Sequence, residues 1–68
     1  MRTLSKRQMK FLGTLFLKGV TNTDEMSSTD WRKLEAMNDH ETLWLNTNRY
    51  LMDLFLEQQR LSDPWQLL

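Results

Sequence analysis

The 68-residue chain has no cysteine, one histidine, one proline and two glycines. Each shortage removes a class of structure. Without cysteine there is no disulfide and no thiolate metal site, and a lone histidine leaves a structural zinc site without enough ligands. So few turn formers do not suit a β-rich fold with its many tight turns. The longest apolar runs fall far short of the roughly 20 residues that cross a bilayer. The start, MRTLSKRQMKFLGTLFL, is basic and then apolar like a secretion signal, but its apolar part ends at Lys18 with no small-residue cleavage pattern after it. It reads as an amphipathic helix, and a cytoplasmic location is expected.

What is present is grease and charge. Hydrophobic residues make up 40% of the chain, with three tryptophans and three phenylalanines, too many for intrinsic disorder. No internal repeat is visible. A chain this short forms one domain, and below roughly 70–80 residues a core usually needs help from close helix packing or from association.

The helix starts are the sharpest local signals. Ser5 and Gln8 make a capping box, and Leu4 and Met9 have the spacing of a hydrophobic staple. Met9, Phe11, Leu12, Leu15 and Phe16 follow as an apolar face. Gly19 suits the left-handed residue after a helix, and Val20 can fold back on it. These features predict a first helix over about 6–18. Ser27 and Asp30 repeat the box, with Met26 and Trp31 as the staple pair, and predict a second helix over about 28–37 with Trp31, Leu34 and Met37 on one side. Between them GVTNTDEM is a polar loop, whose Asp24 and Glu25 lie next to the positive end of the second helix.

Asn38 or Asp39 is the expected cap of a third helix, over about 39–60. At 100° per residue, Asn46, Arg49, Asp53, Glu57 and Arg60 form a polar stripe. Three apolar bands fill most of the remaining circumference: Leu43, Tyr50, Leu54 and Leu61; Trp44, Leu51 and Phe55; Leu45, Met52 and Leu56. Thr47, Asn48, Gln58 and Gln59 lie among them. A surface helix needs an apolar stripe only a little over about 100° wide, so this helix carries more apolar surface than two short companions can cover. Asp63 and Pro64 suit a final helical turn over 63–68, whose PWQLL ending is an apolar hook. Trp65 either closes the core or inserts into a partner. The fold expected is an all-α bundle of three helices with a C-terminal turn.

Net charge is zero but unevenly spread. Residues 1–19 hold Arg2, Lys6, Arg7, Lys10 and Lys18 and no acid, while residues 20–68 hold four basic and nine acidic side chains. A basic stripe of this kind is either a solvated face or a contact for phosphate, anionic lipid or an acidic protein. A groove-reading helix of the usual kind is missing, because the third helix is the greasiest element. Lipid binding through Phe11, Leu12, Leu15 and Phe16 would compete with the core's need for the same residues.

Catalytic and metal constellations are not apparent. Asp39, His40 and Glu41 point about 100° apart if helical and cannot converge on one ion. Ser27 and Ser28 have no base placed beside them by any motif. The stretch MSSTDWRKLEAMNDH, followed by Leu45, Asn48 and Arg49 and a late Trp65, resembles the second half of the Hha/YmoA proteins, small helical modulators that bind the nucleoid protein H-NS. The resemblance would carry over only Asp39, His40 and Trp65. The first half of the chain does not follow that pattern, and no family is assigned on this basis.

The sequence therefore points to a non-catalytic adaptor, regulator or inhibitor without cofactor or metal. It would dock on a larger protein through Trp44, Leu45, Met52, Leu56 and Trp65, and pair as a homodimer through the surplus band of Leu45, Met52 and Leu56 on the third helix, with the basic residues of the first helix steering an acidic partner. The alternative is a nucleic-acid-associated regulator that grips phosphates through Arg2, Lys6, Arg7, Lys10 and Lys18.

Overall fold

A computed structural model describes residues 3–62. It contains α1 (Lys6–Leu17), a short 3-10 turn (Thr23–Glu25), α2 (Ser28–Met37) and α3 (Leu43–Ser62), an all-α three-helix bundle with no strand among the described residues. The expected C-terminal turn over 63–68 lies outside them.

Both capping boxes form. The Ser5 hydroxyl accepts from the Gln8 backbone N–H, and the Gln8 side chain accepts from the Ser5 N–H at 2.9 Å. Ser27 and Asp30 make the same reciprocal pair at the start of α2. At the other end of α1, Gly19 takes φ +107°. The Gly19 N–H donates to the Phe16 carbonyl and the Val20 N–H to the Leu15 carbonyl, the doubly bonded glycine ending that satisfies a helix's last acceptors. Val20 then packs on the core, as expected from its place after the glycine.

The core comprises Leu12 and Leu15 from α1, Met26, Leu34 from α2, and Leu43 and Leu51 from α3. Leu4, Phe11, Phe16, Val20, Trp31, Tyr50 and Leu54 pack partly buried around it. Six buried apolar side chains at about 1.5–3 kcal/mol each are a small store against the entropy of ordering the chain. Helix α1 packs against both α2 and α3, and α3 rests on α1 and on the 3-10 turn.

Two details depart from expectation. Helix α3 starts at Leu43, not near 39. Asn38, a candidate cap for α3, is the extended C-cap of α2, with φ −173°. The chain needs residues 38–42 to turn, and the Leu43 N–H closes that turn on the His40 carbonyl at 3.1 Å. In the α1–α2 connection the polar loop holds a 3-10 turn with Thr23 buried. Glu25 accepts from the Thr21 hydroxyl at 2.7 Å and the Asn22 amide at 2.9 Å, so it braces the loop. The acid in the first turn of α2 is Asp30.

Gln8 is the side chain that ties the first two helices together. It is fully buried. Its amide donates to the Leu34 carbonyl at 3.0 Å and to the Asn38 carbonyl at 2.7 Å while its oxygen completes the cap of α1. One side chain thus caps the start of its own helix and satisfies acceptors at the end of the next, which need partners when water is excluded.

Candidate docking surface on helix α3

Three arcs run along α3. The first closes on the bundle: Leu43, Thr47 and Leu51 are buried, with Tyr50 and Leu54 half-buried beside them. The second is the polar stripe, with Arg49, Asp53, Glu57 and Arg60 exposed and Asn46 half-buried. The third is apolar and open. Leu45 is 61% exposed, Leu56 57%, Trp44 51%, Met52 50% and Phe55 37%. At 100° per residue these five span about 120° of the circumference. The open arc is therefore as wide as the stripe a helix ordinarily buries against its own core. Asn48, half-buried, and Gln59, exposed, are its polar members.

The expected docking residues Trp44, Leu45, Met52 and Leu56 all lie on this open arc. Trp65, the fifth, lies outside the described residues. Phe55 joins the four, although its band partner Leu51 turns inward. Residues 55–60 are all exposed.

The basic residues of α1 also face outward. Lys6, Arg7, Lys10 and Lys18 are all exposed and fall within about 120° of one another at 100° per residue, opposite the buried Gln8, Leu12 and Leu15. Arg2 lies outside the described residues. Between the start of α1 and the middle of α3 there is a shallow cleft of about 290 Å³, lined by Leu4, Met9, Arg49, Tyr50 and Asp53 among others. It is open and mixed in character, without a convergent set of polar groups.

Asp39 and Glu41 are exposed, and His40 is half-buried, with Nδ1 3.1 Å from the Thr42 hydroxyl and Nε2 buried without a partner among the described residues. The ring lies in the α2–α3 connection. Among the described residues no group of three or more histidines and carboxylates is placed to hold a metal, and no helix is long and apolar enough to cross a membrane.

Two buried polar groups had no signal in the sequence. The second role of Gln8 joins residues 26 and 30 positions apart. Thr47 is fully buried on the closed arc, and its hydroxyl has no partner among the described residues. Burying a hydroxyl without a hydrogen bond costs stability.

No family model, no curated protein and no solved structure matches this chain.

Proposed function

We propose that this chain is a non-catalytic protein-binding module, an adaptor, regulator or inhibitor that docks on a larger protein through the open face of α3, together with Trp65. The observation that carries the reading is the second apolar face of α3. Its first face already closes the core, so Trp44, Leu45, Met52, Phe55 and Leu56 contribute nothing comparable to the fold while remaining in water. Contiguous apolar surface of this kind marks interaction sites. Aromatic and long aliphatic anchors on one helix face are what a helix-in-groove contact uses. Exposed Lys6, Arg7 and Lys10 would speed encounter with an acidic partner.

The test is capture from native lysate with wild-type chain and with Leu45→Glu/Leu56→Glu, each checked by circular dichroism. A docking module loses its partners while its helical signal and melting temperature hold. Unchanged capture by the folded variant removes the reading.

The exposed cationic stripe supports a second reading, a regulator contacting nucleic-acid phosphates through α1. Its signature is salt. Phosphate binding weakens steeply as salt rises, whereas apolar docking tolerates salt. Replacing Lys6, Arg7 and Lys10 with glutamate would abolish the former and mainly slow the latter.

A further inference from the structure

We infer that the open face of α3, when no other partner holds it, closes on the same face of a second copy in an antiparallel, two-fold symmetric pair. The inference rests on the docking reading and names one occupant of that surface.

Its first support is the order of the residues. Along the open arc, Trp44, Leu45, Asn48, Met52, Phe55 and Leu56 are separated by 1, 3, 4, 3 and 1 residues before Gln59 follows, so its apolar part presents the same spacing in either direction. An isologous contact, which brings residue i to j and j to i, can use such a pattern. With the axis at position 50, Asn48 lies level with Met52 of the second copy and Leu45 level with Phe55, while the two Trp44 side chains share one edge of the seam and the two Leu56 side chains the other. The inner spacing of 3, 4 and 3 is also the alternation of a coiled-coil seam. Asn48 sits beside the axis, its Oδ1 accepting from the Thr23 hydroxyl of its own chain at 3.4 Å.

Area is the second support. With their exposures of 37–61%, the five apolar side chains leave roughly 500 Å² open per chain, taking aromatic and long aliphatic residues at about 200 Å² each. A symmetric pair would bury about 1,000 Å² from these alone, the size at which specific interfaces begin.

Charge is the third. The arc is edged by Arg49 and Asp53, both exposed. The two-fold collects both from each copy on one side, two cations and two anions, so that rim carries no net charge. The whole chain is also neutral, so no net charge opposes self-association. Self-pairing and docking then compete for one surface, and the dimer holds the docking face covered until a partner displaces it.

Sedimentation equilibrium over a wide concentration range, with disulfide trapping, tests the pairing. The chain has no cysteine, so introduced thiols report alone. The expected results are a concentration-dependent dimer, lost in Leu45→Glu/Leu56→Glu, and a disulfide between Leu45→Cys and Phe55→Cys chains when the two are mixed and oxidised. Neither variant should link to itself, because the two copies of position 45 would lie about 15 Å apart along the helix at 1.5 Å per residue, beyond the ~7 Å that a disulfide spans. Self-linked products overturn the antiparallel alignment, and a dimer that survives the double glutamate variant places the contact elsewhere. A monomer at high micromolar concentration overturns the pairing but leaves the face free for a larger protein, so the docking reading stands or falls separately, by capture.

Discussion

Leu51 and Met52 are adjacent in sequence and opposite in circumstance. Leu51 is fully buried where α3 meets the bundle, while Met52 is half exposed on the arc that nothing among the described residues covers. The difference is not one of hydrophobicity, since either side chain would fill a core. It comes from where a small bundle places its partners. Helix α3 rests on α1 and on the 3-10 turn, and only the arc turned to them is buried among the described residues. Its remaining apolar arc is a consequence of topology.

Aspartate at each neighbour in turn gives the largest contrast. Leu51→Asp should cost at least about 4 kcal/mol, because it leaves an unpaired charge in the core, and that is enough to unfold a domain this small. Met52→Asp, measured by chemical denaturation at low concentration where the chain is monomeric, should stay within about 0.5 kcal/mol of wild type. Equal losses would mean that the arc is not open.

A smaller effect sharpens the closed side. Gln8→Glu keeps the acceptor for the Ser5 N–H but replaces an amide donor with a carboxylate oxygen facing the Leu34 and Asn38 carbonyls. A loss of about 3 kcal/mol in urea unfolding is expected from the buried charge and the unpaired acceptors. A near-neutral result would mean that Gln8 does not hold α1 to α2.

The smallest effect has the opposite sign. Thr47→Val removes a buried, unpartnered hydroxyl and keeps the shape of the side chain, so the melting temperature should rise, by an amount equivalent to about 1 kcal/mol. A fall would show that the hydroxyl has a partner after all.

What could be read from the sequence was local. The capping boxes at Ser5–Gln8 and Ser27–Asp30 and the turn at Gly19 depend on residues within a few positions of one another, and the structure forms each of them. The bounds of α1 and α2 followed. The start of α3 did not, because Asn38 and Asp39 have cap-forming side chains wherever they occur, and only the packing of α2 shows that Asn38 is spent on ending that helix. Periodicity separated Leu45, Met52 and Leu56 as a band of their own and marked them as the surplus, and all three are exposed. It could not divide the band of Trp44, Leu51 and Phe55, because the edge between covered and open surface is set by where α1 lies. The partnership of Gln8 with the end of α2 is long-range and leaves no mark on the pattern.

The central claim, that the open arc of α3 is a working surface, is tested most directly by a photo-crosslinking amino acid placed at Met52 and, as a control, at the exposed Glu35 of α2, each irradiated in living cells. The account predicts strong adducts from position 52 that vanish with Leu45→Glu/Leu56→Glu, and few from position 35. Adduct masses would then separate a second copy of the chain from a larger protein. Equal and nonspecific labelling from the two positions would contradict it, and would leave the arc as bare surface with no partner.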